Sequence, residues 1–444
     1  MKADGMDGLV SRAKRFRDLD MEGRRARVAE IRDLTLSELS RTLDQGGIDL
    51  ATADKMVENA LGVLALPFGV GIHFRVNDRD YLVPMAIEEP SVIAAASHAA
   101  KRALAGGGFS AASTDPVMIA QVEVHDVPNA EAAIERVLAH KDELLAAADA
   151  AIPTLVERGG GARGLSMRDL GEGFVVVHLE VDCREAMGAN ICNTVAEATG
   201  ARIAELCAGT LGLRILSNYC DLRRTEVTAR IPVDALGCDR TDGPTAARGI
   251  AAASKFAELD PYRAVTHNKG IMNGVDAVVV ATGNDWRAVA AAAHAYASRS
   301  GKYGPLATWK LTADGGALVG ELTLPLSVGA IGGALRAHKG ARLALEILGV
   351  RSSSELAQVI AAAGLATNLA ALRALATEGI QRGHMTLHAR AIARAAGVPD
   401  DLIATVAAEL AAGGDVRIEA VRGIMERIRA TATGTPPPGE REPQ

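Results

Sequence analysis

Apolar residues recur at helical spacing from Leu34 to Gln45 and from Asp49 to Asn59, which predicts two short helices with Ser37 and Thr52 as candidate caps. An extended section follows, in which Tyr81 to Ile87 reads as a strand. Glu88-Glu89-Pro90-Ser91 should stop that strand and open a helix through Lys101, because proline suits the first helical position and Gly106-Gly107-Gly108 ends the run. On this reading the strand delivers Glu89 to a helix N-terminus.

Between Ser113 and Ser217 the pattern predicts strand Met118 to His125, helix Asn129 to Ala150, strands Leu165 to Leu170 and Phe174 to Val181, helix Ala189 to Cys207 and strand Leu213 to Leu216. This is the β-α-β-β-α-β order of a ferredoxin-like unit, expected as a small domain over 113–216 inserted into a larger one built from 1–112 and 217–377. Beyond it, Glu226 to Val233 and Leu318 to Val328 alternate like strands, and Thr245 to Leu259 and Trp286 to Ser298 read as helices. Val275 to Thr282 is a buried run that fits strand or helix alike. From Ala341 onward the chain is almost wholly helical, and 431–444, with Pro436-Pro437-Pro438, is expected to be a disordered tail. The expected fold class is α+β: a large, mainly helical α/β domain, the inserted unit, and a helical C-terminal segment over 378–430.

The 444 residues exceed the size at which one core keeps growing, so two or three domains are expected. With 48% hydrophobic but only 3% aromatic residues, the cores should be aliphatic and packed among alanine-rich helices. A net charge of -6 gives no electrostatic footprint for nucleic acid or anionic lipid. Five cysteines without C-x-x-C spacing fit a reducing compartment, and no leader-like segment or uncharged apolar run of membrane length is present, so a cytoplasmic protein is the expectation.

Gly159-Gly160-Gly161-Ala162-Arg163-Gly164 matches G-x-G-x-x-G, but it follows a helix and leads to a strand, the reverse of what a dinucleotide fingerprint needs, so a connector is the better reading. Met187-Gly188-Ala189-Asn190 follows a strand and opens a helix, where free N–H groups and a glycine suit a pyrophosphate or form a plain turn. Glu89 is a poor capping residue, so it either favours the helix dipole or does chemistry. Lys269, within His267-Asn268-Lys269-Gly270-Ile271-Met272-Asn273-Gly274, is a solvated turn residue or a cation held in a cleft. Asp285 stands where the helix from Trp286 needs an N-cap. His384 and His388 have metal-binding spacing but neither the H-E-x-x-H pattern nor a third ligand, so no metal is expected.

Several blocks together resemble the class II, bacterial-type 3-hydroxy-3-methylglutaryl-CoA reductases: Glu58-Asn59-Ala60-Leu61-Gly62, Glu88-Glu89-Pro90-Ser91, Ala186-Met187-Gly188-Ala189-Asn190, Pro261-Tyr262-Arg263, His267 through Gly274, Ala281-Thr282-Gly283-Asn284-Asp285-Trp286-Arg287-Ala288 and Gly383-His384-Met385. They stand in family order from about residue 35 to about residue 430. The resemblance implies interconversion of HMG-CoA with mevalonate and CoA through two hydride transfers, with Glu89, Lys269, Asp285 and His384 as the catalytic group. It implies Ser91, Arg263 and Asn273 at the hydroxymethylglutaryl moiety, and Met187, Gly188, Ala189 and Asn190 at the nucleotide in an NAD-binding small domain. Asp142 matches a position that repels the extra phosphate of NADP, so NAD(H) is expected over NADP(H). Glu185 stands where the family commonly has Asp, keeping the charge on a longer arm. A homodimer or assembly of dimers, with active sites where subunits meet, and a C-terminal flap carrying His384 are also implied. The rival readings are another nicotinamide-dependent acyl-CoA oxidoreductase on this scaffold and a CoA-binding protein without turnover.

Physical chemistry gives those roles content. Lys269 would meet the thioester oxygen as it becomes negative, and Asp285 would keep the ammonium charged and aimed. Glu89 would donate and recover a proton, which calls for a raised pKa that a helix N-terminus opposes.

Overall fold

Ten strands form two sheets in the structure, a computed structural model that describes residues 15–238, 240–330, 337–377, 379, 389–390, 392–414 and 416–433. The larger sheet has the order β2-β1-β3-β8-β10-β9, from β1 (Phe68–Val76), β2 (Arg79–Ala86), β3 (Phe109–Ser113), β8 (Arg224–Pro232), β9 (Ala307–Leu311) and β10 (Ala317–Pro325). The smaller, fully antiparallel sheet has the order β5-β6-β4-β7, from β4 (Val117–His125), β5 (Gly161–Gly171), β6 (Phe174–Asp182) and β7 (Thr210–Leu216). Its chain leaves the large sheet after β3 and returns at β8, and those two strands pair with each other. The protein is an α+β protein.

The small sheet buries Val, Leu, Ala and Cys side chains against the helices Ala130–Ala139, Lys141–Ala151 and Ala189–Cys207, and among the described residues no aromatic ring enters that core. In the large unit the helix Ser353–Ala376 is the central support. It is long and apolar enough to cross a membrane, yet most of it is enclosed by the protein. It packs on the helix Pro261–Ala281 so closely that a Cβ on Gly274 would stand 2.4 Å from the Ala363 carbonyl oxygen. Only glycine permits that backbone-to-backbone approach.

Several local expectations change. The cap before Leu36–Asp44 is Thr35, without a side-chain bond, and the cap before Leu50–Met56 is Asp49, which accepts the Thr52 N–H, so Ser37 and Thr52 lie inside their helices. The helix after β2 starts at Val92, capped by Ser91 in the left-handed region at φ 77°, so Pro90 and Glu89 sit in a turn outside it. The predicted Asn129 to Ala150 helix breaks at His140. Val275 to Thr282 is helical, the end of one helix that begins at Pro261. Asn, Gly and Lys make its first half read as a turn, but eleven buried residues along it override that weak local propensity. The C-terminal segment has its own apolar cluster from Ala389 to Ile424, and its last helix, Ile418–Thr433, enters what was expected to be tail.

Candidate functional site

The helix Pro261–Ala281 and the turn after β2 bring three of the expected residues together. The Lys269 ammonium donates to Glu89 Oε2 at 2.8 Å, and the Asn273 amide reaches the same oxygen at 3.5 Å. Lys269 and Asn273 are four apart, so they share one face of the helix. Glu89 is more enclosed than its partner, with side-chain exposures of 32% and 62%, so the ammonium stays open to a ligand. Because Glu89 lies before Ser91, it stands outside the first helical turn. The Ser91 hydroxyl is buried and has no hydrogen-bond partner among the described residues.

Two more groups share that helix. Arg263 is half-buried near its start, and desolvation lowers its pKa. Asp276, seven residues after Lys269 and so again on its face, has a buried Oδ1 without a partner among the described residues, and burial pushes its pKa up to about 6. Asp276 was not among the expected site residues; its i+7 spacing from Lys269 becomes informative only once the segment is known to be helical.

Asp285 is placed elsewhere. Its Oδ1 accepts the N–H groups of Arg287 and Ala288 and caps the helix Trp286–Ala297. Twelve residues of helix, about 18 Å of axis, separate Lys269 from Ala281, and Asn284 folds back on that end through its N–H to the Val279 carbonyl. The ion pair expected between Asp285 and Lys269 is therefore not made within one chain.

The second cluster is the Met187-Gly188-Ala189-Asn190 turn. Gly188 caps the helix Ala189–Cys207 at φ 107°, and a Cβ there would stand 2.6 Å from Cys183 Sγ. The glycine is thus required by the protein side of the turn, in addition to any close approach by a ligand. The N–H groups of Met187 and Gly188 have no acceptor among the described residues, so the turn fits a diphosphate. Glu185 does not point there, because its carboxylate accepts the Ser353 N–H at the start of the central helix.

Asp142 lies in the exposed first turn of its helix, and its neighbour Glu143 pairs with Arg202 at 2.7 Å. Arg202 is fourteen residues beyond Gly188, about 20 Å along that helix, which sets Asp142 beside the far end from the turn. Its acidic side chain serves the helix N-terminus, and the reason given for excluding NADP loses its support. His384 and His388 lie outside the described residues. Gly159–Gly164, the formal fingerprint, runs into β5.

A family model described as hydroxymethylglutaryl-coenzyme A reductase matches residues 20–389. The chain is 44% identical over 425 residues to the 3-hydroxy-3-methylglutaryl-coenzyme A reductase of Archaeoglobus fulgidus, covering 95% of this chain and 96% of that protein. The chain belongs to the hydroxymethylglutaryl-coenzyme A reductase family. Among solved structures, the reductase of Streptococcus pneumoniae matches with a TM-score of 0.79 at 40% identity, covering 93% of this chain and 99% of that one. Another structure, of the class II enzyme from the same organism bound to NADPH in open conformations, matches with a TM-score of 0.78 at 42% identity, covering 81% and 98%. Family membership makes the chain an oxidoreductase and implies a nicotinamide cofactor.

Proposed function

We propose that the chain interconverts HMG-CoA with (R)-mevalonate and CoA, and that Lys269 and Glu89 hold the reacting carbonyl. The observation that carries this reading is the half-exposed ammonium fixed 2.8 Å from Glu89, on a rigid helix and beside Asn273. Lys269 meets the thioester oxygen with positive charge as it becomes an oxyanion, and Glu89, hydrogen-bonded to that ammonium, passes a proton toward the oxygen and recovers it. Ser91 has a buried hydroxyl without a partner among the described residues to give to the substrate, and Arg263 offers its guanidinium to the glutaryl carboxylate. His384 protonates the departing CoA thiolate, a task for a group titrating near neutrality, and the segment 378–430 acts as its flap. A reduced nicotinamide, when bound, would supply one hydride, and two such dinucleotides would be consumed per substrate. Met187, Gly188, Ala189 and Asn190 hold the diphosphate of that dinucleotide.

NAD(H) is the proposed form on the resemblance alone, with Asp142 no longer its reason. Because Asp285 and Lys269 are far apart in one chain, the catalytic group is completed in a homodimer, where a second copy brings the two together. A cytoplasmic location is proposed with it. The test is an assay of purified protein with HMG-CoA and each reduced dinucleotide, following cofactor oxidation and thiol release. Two dinucleotides oxidised per CoA released is the expected result; oxidation with other acyl-CoA thioesters but not HMG-CoA, or no turnover, would overturn the reading.

A further inference from the structure

Arg223 precedes β8 and is buried, with 5% of its surface exposed. A guanidinium taken out of water normally sits against a carboxylate, yet among the described residues none lies within ion-pair distance of this one. Its hydrogen bonds go to backbone carbonyls instead. One terminal nitrogen donates to Ala186 O at 2.9 Å and Met187 O at 3.2 Å, and the other to Val328 O at 2.6 Å. Its own carbonyl accepts the Leu326 N–H at 3.0 Å. One side chain thus fastens the Gly188 turn to the segment Leu326–Ala330.

That segment is itself tied in two directions. Gly329 N–H donates to Asn284 Oδ1 at 2.8 Å, next to Asp285, and Ala330 N–H donates to Glu185 O at 3.1 Å. Within the turn, the C=O and N–H of each trans peptide unit point in opposite directions. Carbonyls of Ala186 and Met187 aimed at Arg223 therefore turn the N–H groups of Met187 and Gly188 away from it, and neither has an acceptor among the described residues. The cation behind the turn also adds positive potential on the face those N–H groups present.

We propose that Arg223 is a positioning residue for the dinucleotide, orienting the Met187 and Gly188 N–H groups toward its diphosphate and holding the turn in register with the Asp285 loop. This rests on reading the Gly188 turn as the dinucleotide site. A lysine ammonium cannot span three carbonyls in that planar pattern. Arg223→Lys should raise the KM for the dinucleotide at least tenfold while the KM for HMG-CoA stays within twofold, and added guanidinium should restore part of the loss in Arg223→Ala. Equal rises in both KM values, or an unchanged dinucleotide KM, would overturn the proposal. Should the variants fail to fold, amide exchange on the wild-type protein decides: slowed exchange at Met187 and Gly188 with NADH or NADPH supports it, and unslowed exchange there with the dinucleotide bound overturns it. A wild-type protein that binds neither dinucleotide removes the underlying site as well.

Discussion

The two candidate clusters are built from opposite materials. Around Lys269 the work falls to side chains: an ammonium and a carboxylate in contact, an amide beside them, and a helix that fixes their spacing. Around Gly188 it falls to the backbone, with two N–H groups that have no acceptor among the described residues, held by a left-handed glycine and a buried guanidinium behind them. A site that must stabilise charge developing during reaction needs a mobile proton and a concentrated charge, whereas one that grips a diphosphate of constant charge needs fixed donors. Substitutions should therefore separate the two: the first cluster should lose kcat and the second should lose cofactor affinity.

The largest separation is expected at Lys269. Lys269→Ala should lower kcat by about 1000-fold, on the scale of removing one principal oxyanion donor, with circular dichroism and dinucleotide affinity unchanged. Gly188→Val comes next. Its Cβ would crowd Cys183 Sγ at 2.6 Å in a backbone conformation hostile to branched side chains. The dinucleotide KM should rise about tenfold or more, with a loss of about 1–3 kcal/mol in urea unfolding.

A third test uses pH and touches only the Lys269 helix. His267 is buried, and desolvation, aided by Arg263, holds its pKa down to about 4 from 6.5. The unfolded imidazole binds a proton in that window and the folded one does not, so His267 makes stability fall as pH drops from 6.5 to 4. Asp276, raised by burial from 3.8 to about 6, has the reverse effect, since the folded carboxyl keeps its proton where the unfolded one has lost it. The two slopes oppose each other between about pH 4 and 6. Asp276→Asn should remove one of them, so unfolding free energy should rise with pH more steeply than in the wild type, by about 1.4 kcal/mol per pH unit. Parallel profiles would show that Asp276 is not held protonated.

The smallest stability effect is expected for the cap. Asp285→Ala should cost about 1 kcal/mol of stability from the freed Arg287 and Ala288 N–H groups. A kcat loss well beyond what that instability explains would support the additional catalytic role proposed across subunits.

Legibility in the sequence follows the same division. The Gly188 turn could be read directly, because strand, glycine and helix stand consecutively in the chain, and the β-α-β-β-α-β order of the small sheet emerged from periodicity alone. The Lys269 helix could not: Asn268, Gly270, Asn273 and Gly274 disguise it, and burial in the core, with close packing against Ser353–Ala376, favours the helix over that local propensity. Asp142 misled because a motif match carries no distance, and the Glu143 pair with Arg202 supplies one. Arg223 gave no signal, since beside Arg224 it resembles surface charge until its three carbonyl partners are seen.

The most direct measurement is a structure of the protein with an HMG-CoA analogue bound, read at the distance between Lys269 Nζ and the thioester oxygen. A hydrogen bond of about 3 Å, with Glu89 still in contact with the ammonium, is the expected result. A thioester bound with its oxygen on other donors, and the Lys269–Glu89 pair facing away from it, would contradict the assignment.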